Sequence, residues 1–81
     1  MKKMVLVRYF AALREQRGLG EEQVETAAAT AADLYAQLAR AHRLTLPAAR
    51  MRVAINDEFG SWSTELRDGD QLAFIPPVAG G

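Results

Sequence analysis

The sequence predicts an α+β domain in which a mixed sheet wraps around one main helix. Three observations predict it. Two strand-like segments, Met4 to Phe10 and Glu21 to Thr26, precede a single long amphipathic helix that begins at Thr30. Two or more strands follow it, with Met51 to Ile55 and Gln71 to Ile75 the clearest. At 81 residues the chain has room for one such core and no second domain. Residues 1–75 are read as that domain and residues 76–81 as an extended C-terminal tail.

Met4 to Phe10 is a run of strand formers, with Val5, Val7 and Tyr9 on one face and Met4, Leu6, Arg8 and Phe10 on the other. Ala11 to Arg17 contains good helix formers and stops at Gly18, a residue suited to the left-handed conformation that ends helices. Glu21 to Thr26 alternates around Val24 and pairs as a hairpin with the first strand. Thr30 can cap the main helix with Asp33 three residues on, and Ala31, Leu34, Leu38 and Ala41 recur at helical spacing as a face for the sheet. Arg40, His42 and Arg43 complement the negative end of that helix, and Pro47 discourages its continuation through Leu46. Met51 to Ile55 is the next strand and Asn56-Asp57 a turn. Phe59 and Trp62 lie in a Gly- and Ser-containing segment, with Trp62 read as packing. Asp68-Gly69-Asp70 is a tight turn into Gln71 to Ile75, whose alternation sets Leu72 and Phe74 on one face and Ala73 and Ile75 on the other.

Almost half the residues are hydrophobic, and ten basic side chains balance ten acidic ones. The composition is globular, and the balance argues against a nucleic-acid surface. No apolar stretch is long enough to span a bilayer, and Lys2-Lys3 leads into a strand-like segment rather than a signal-peptide core, so a cytoplasmic protein is expected. Cysteine is absent, which excludes disulfides, thiolate metal sites and a cysteine persulfide on this chain. With His42 as the single histidine, no metal site and no histidine-based catalysis is assigned. Asp68 and Asp70 are explained by the turn, without a metal or acid–base role.

The tail carries the chemistry. Pro76-Pro77 offers no backbone donors and two fixed φ angles, a stiff exit from the sheet. The four residues Val78 to Gly81 reach at most about 13–14 Å beyond it. Gly80 and Gly81 lack Cβ atoms, so a narrow channel can close around their backbone. Gly81 is the last residue, and no processing is expected before its carboxylate is used. That carboxylate is ionised at neutral pH and a poor electrophile, so it must be activated. No Gly-rich phosphate loop ending in Gly-Lys-Ser/Thr is present, and ATP is expected to be held by another protein.

A Gly-Gly ending alone is weak evidence. Joined to Asp68-Gly69-Asp70, the strand Leu72 to Ile75 and Pro76-Pro77-Val78-Ala79-Gly80-Gly81, it closely resembles the small, sulfur-carrying subunits of molybdopterin synthase. Phe10-Ala11-Ala12-Leu13-Arg14-Glu15 resembles that family's first-strand exit. The resemblance implies a β-grasp, ubiquitin-like fold and a two-stage cycle. An adenylyltransferase of the ubiquitin-activating class adenylates the Gly81 carboxylate with ATP, and a sulfur donor enzyme converts it to a thiocarboxylate. The tail Pro76, Pro77, Val78, Ala79, Gly80 and Gly81 then enters the large synthase subunit. There it gives sulfur to cyclic pyranopterin monophosphate, and two transfers build the dithiolene of molybdopterin. The family's assembled synthase is a heterotetramer; the carrier itself holds no cofactor and supplies no catalytic residue.

By the same resemblance Phe10, Phe59 and Ile75 are the partner-facing apolar patch, against burial in the core, the commoner fate of such residues. Arg14 and the Arg50/Arg52 pair are candidates for docking an acidic partner, against the commoner role of exposed arginines in solvating a face. Three alternatives stand beside the synthase carrier. A thiamine-type sulfur carrier shares the Gly-Gly end and the fold, but the Ala73-Phe74-Ile75-Pro76-Pro77-Val78 approach argues against it. A ubiquitin-like modifier conjugated to lysines needs the same activation, and archaeal relatives combine both roles. A generic binding domain would make the ending incidental.

Overall fold

The computed structural model describes residues 2–77. Five strands and two helices follow in the order β1 Lys3–Tyr9, α1 Ala11–Arg17, β2 Glu21–Thr26, α2 Ala31–His42, β3 Arg52–Ile55, β4 Glu58–Gly60 and β5 Gln71–Ile75, with a 3-10 turn at Ala48–Arg50. The sheet order is β2-β1-β5-β3-β4. β1 and β5 run parallel at its centre and every other pairing is antiparallel, which makes the sheet mixed as expected. A parallel pair needs a crossover, and the segment between β1 and β5 supplies it with α2 packed against one sheet face. This is the β-grasp arrangement.

The alternation read from β1 holds: Val5, Val7 and Tyr9 are buried, while Met4, Arg8 and Phe10 are exposed. α1 stops at Gly18, whose φ of 87° is one a side chain would strain. α2 starts where Thr30 accepts a hydrogen bond from the Asp33 amide at 3.2 Å. Its first free amides are met by the segment before β5, Ala31 donating to the Thr64 carbonyl and Ala32 to that of Trp62. Arg43 closes the helix in the left-handed conformation, its amide bonded to the Ala39 carbonyl.

Three details differ from the sequence reading. The buried stripe of α2 is Ala31, Leu34, Tyr35 and Leu38, whereas Ala41 is exposed. Tyr35 takes the inward position because its ring packs edge-on against Phe74 and Trp62, and its hydroxyl donates to the Leu46 carbonyl. β3 begins at Arg52, because Met51, though buried, still donates to the Ala48 carbonyl of the 3-10 turn. Glu58–Gly60 is a strand that the sequence reading leaves in a loop. It pairs with β3 through a turn at Asn56 and Asp57, both at positive φ, the backbone that suits a tight hairpin. Trp62 packs as expected, stacked on Phe74 at 5.7 Å.

One polar network joins β1, β2 and α1. The Tyr9 hydroxyl donates to Glu22 Oε2 at 2.6 Å, and Arg17 grips the same carboxylate through Nε at 2.8 Å and Nη2 at 2.7 Å. Arg17, first of all, holds the Glu22 carboxyl below its usual range. A carboxyl depressed in the folded state contributes stability above its unfolded pKa of about 4.5, and loses it as pH falls through the folded value. Burial and then Glu22 push the Tyr9 phenol up, so its contribution is complete below the ordinary value of about 10 and is lost at higher pH. Glu22→Gln should therefore cost about 1–3 kcal/mol at pH 7 and flatten the acid limb of the stability profile. Urea titrations of both proteins at neutral pH and well below the carboxylate range measure this. Parallel pH profiles would remove Glu22 from the acid response.

Candidate functional site

β5 is the central strand, and both of its ends are fixed by neighbours. At its start, Gly69 turns the chain at φ 88° and donates to the Met4 carbonyl, while Asp68 Oδ1 accepts from the Met4 amide at 2.8 Å. Asp70 accepts from the Arg67 amide at 2.7 Å and from Asn56 Nδ2 at 3.0 Å. Both aspartates are thus spent on the turn, as the sequence suggested. At the other end Phe74 pairs with Tyr9 of β1 and Ile75 with Arg52 of β3. The chain leaves the sheet between these two strands. Pro76 is buried and Pro77 is exposed. Of the expected tail, Val78, Ala79, Gly80 and Gly81, the proposed attachment point, lie outside the described residues.

α2 covers one face of the sheet; the other is open. Register places a cross-strand row Glu21–Arg8–Ala73–Ala54–Phe59 on the open face, with Arg52 and Ile75 in the row nearer the exit. Phe59 is 68% exposed and Phe10 43%, while Ile75 is half-buried. None of the three belongs to the buried core, and the structure brings them to one side of the exit. Phe10 keeps extended backbone beyond β1, so it stands level with Ile75 on the face shared by Arg8. Arg52 joins the other two, pairing with Ile75 and holding its guanidinium 5.8 Å from the centre of the Phe59 ring.

The sequence reading missed the rest of this surface as a site. Leu6, Ala54 and Ala73, all half-buried, connect the three large residues, and Met4 extends the patch at 43% exposure. The signal was present in the outward half of each strand's alternation, but which strands adjoin is decided only by the parallel β1–β5 pairing. Arg14 lies on the far side of Phe10, its guanidinium against the Gly20 backbone, where an added Cβ would come within 3.3 Å. Among the described residues no group of three or more His, Cys, Asp or Glu side chains is placed to hold a metal ion. No helix among them is long and apolar enough to cross a membrane. His42 is half-buried in the last turn of α2, away from the exit. Among the described residues, the open sheet face beside the exit is lined by Phe10, Phe59 and Ile75.

Known proteins share this sequence and fold. A curated relative from Mycobacterium tuberculosis is 41% identical over 80 residues, covering 95% of this chain and 96% of its own. One from Haemophilus influenzae is 36% identical over 81 residues, covering 96% and 100%. Both are named molybdopterin synthase sulfur carrier subunit. Small archaeal modifier protein 1 of Haloferax volcanii superposes with a TM-score of 0.78 at 26% identity, covering 94% of this chain and 99% of its own. A protein–protein complex of subunits 1 and 2 of molybdopterin-converting factor from Helicobacter pylori contains a chain that superposes at 0.64 with 32% identity, covering 96% and 99%. The ThiS family model matches residues 7–81, from the middle of β1 through the final glycine. With that span matched and full-length relatives on either side of 40% identity, this chain belongs to the ThiS family, alongside the sulfur carrier subunits of molybdopterin synthase.

Proposed function

We propose that this chain is the sulfur carrier subunit of a molybdopterin synthase, with Gly81 as the residue that carries the sulfur. The observation that supports it most is the run from Asp68 to Gly81, a pinned turn, a central strand and a Pro-Pro exit leading to Gly-Gly, beside an open apolar face. In the cycle an adenylyltransferase of the ubiquitin-activating class joins the Gly81 carboxylate to AMP and releases pyrophosphate from ATP. Sulfide-level sulfur supplied by a donor enzyme then attacks the Gly81 carbonyl carbon and displaces AMP, leaving a thiocarboxylate. The tail enters the large synthase subunit and passes its sulfur to cyclic pyranopterin monophosphate, and water restores the carboxylate. The chain's own residues supply position: the prolines stiffen the approach and the glycines admit a close channel wall. The reading puts the protein in the cytoplasm, within a heterotetramer of two small and two large subunits.

Incubation with the activating enzyme, ATP and a sulfur source tests it. The intact mass should rise by the difference between one sulfur and one oxygen, and fragmentation should place the change on Gly81. A mass change on any side chain defeats the reading. The likeness to a small archaeal modifier protein favours one second reading, conjugation to lysines, which blotting of lysate for higher-mass conjugates would reveal.

Phe10, Phe59 and Ile75 serve in this reading as the docking patch for the large subunit. Ile75→Asp sets a charge among them and should weaken that complex by about tenfold or more while the domain stays folded. Calorimetric titration beside circular dichroism separates the outcomes. An unfolded variant makes Ile75 a core residue, and unaltered binding places it outside the interface.

A further inference from the structure

The formal charge is zero, but the charges are not evenly spread. Asp57, Glu58, Asp68 and Asp70 stand at the end of the sheet where β5 begins, in the two turns there and the strand that follows one of them. β3 enters the sheet at the opposite end, where β5 leaves it, and brings exposed Arg52 beside Ile75 at the tail's root, with exposed Arg50 two residues earlier at the end of the 3-10 turn. The five residues of β5 separate the two ends by about 16 Å. That is twice the screening length of about 8 Å at physiological salt, so the acids at the far end leave the arginines uncancelled. Arg8, across the root, is different: Glu21 stands opposite it in register. The two ion pairs among the described residues are Lys2–Glu25 and Arg17–Glu22, and neither Arg50 nor Arg52 takes part.

Arg52 is also held in place. Its guanidinium lies over the Phe59 ring, which restricts a side chain that would otherwise lose rotamer freedom on binding. A planar guanidinium so placed suits a carboxylate, which it can meet through two parallel hydrogen bonds. Arg52 pairs with Ile75, the last strand residue before Pro76, so a carboxylate that met it would belong to whatever surrounds the tail's root.

We infer that Arg50 and Arg52 dock against carboxylate side chains on the rim of the large subunit's tail channel, guiding the tail into it. This rests on the proposed function and adds the chemistry of the partner surface. The test measures association of the full chain with the purified large synthase subunit at about 0.05 and 0.5 M salt, either side of physiological screening. In low salt the Arg50→Glu/Arg52→Glu double variant should bind about tenfold more weakly, chiefly through slower association, and its affinity should depend little on salt. Arg67→Glu, at the far end, should bind like the parent chain, and circular dichroism should show all variants folded. Binding of the double variant within about twofold of the parent, with the same salt dependence, overturns the inference and leaves the carrier reading intact. A loss equally large in high salt overturns it too, since that would mark lost packing on Phe59 rather than lost charge. Failure of the parent chain to bind the large subunit at either salt concentration overturns this inference together with the partner proposed above.

Discussion

Removing Gly81 should abolish molybdopterin formation, by at least about a hundredfold in synthase turnover, while leaving the domain folded. One residue spans roughly 3.3–3.6 Å of extended chain, and misplacing a reacting group by even about 1 Å can cost a hundredfold. The shortened tail would still end in a carboxylate, that of Gly80, so the loss comes from reach rather than chemistry. Appending one residue beyond Gly81 should be as damaging, because it moves the activated carboxyl onward and adds a side chain where the channel fits glycine. Neither change touches the core, whose last member along β5 is Phe74. Melting temperatures should therefore match the parent. Turnover assayed with purified large subunit and activating enzyme decides the matter, and a deletion variant with normal turnover would end the claim for Gly81. Affinity for the large subunit should fall only in part, since the sheet face remains.

Leu38→Ala should destabilise the domain by roughly 2–5 kcal/mol. Leu38 is 3% exposed as the last buried member of the α2 stripe, packed with the sheet core, and truncation leaves a cavity there. At about 0.05–0.15 kcal/mol per residue, a domain of this size has roughly 4–12 kcal/mol in all. The variant should therefore be partly unfolded at physiological temperature, and its carrier activity should fall with its folded fraction. A urea titration gives the number. A loss below about 0.5 kcal/mol would fit an exposed position and contradict the packing of α2.

The contrast between Leu38 and Ala41 shows how far periodicity carries. Thr30, Ala31, Leu34 and Leu38 placed the helix and its inward face correctly, because burial of three apolar residues at helical spacing admits few alternatives. Ala41 fits the same spacing but is exposed, while Tyr35, on the opposite flank of the stripe, is 5% exposed. The helix turns toward Tyr35 because Phe74 and Trp62 offer that ring a site and the Leu46 carbonyl accepts its hydroxyl. All three lie well away from Tyr35 in the chain, so no local window holds the information.

β4 is a similar case. Three residues are too few to display alternation, and Gly60 argues against a strand, yet Phe59 and its neighbours pair with β3 because the Asn56-Asp57 turn folds them back onto an unpaired edge. The sequence by itself determined the order of the elements other than β4, the buried half of β1 and β5, the turn role of Asp68 and Asp70, and, through the ending, the family. Local periodicity and backbone chemistry are enough for these. Only the tertiary structure decided that β5 lies between β1 and β3, and that Phe10, Phe59, Ile75 and Arg52 therefore surround one exit. Phe10 lies more than forty positions before the other three, and their proximity follows from strand pairing across the whole sheet, a property of the folded chain and of no segment within it.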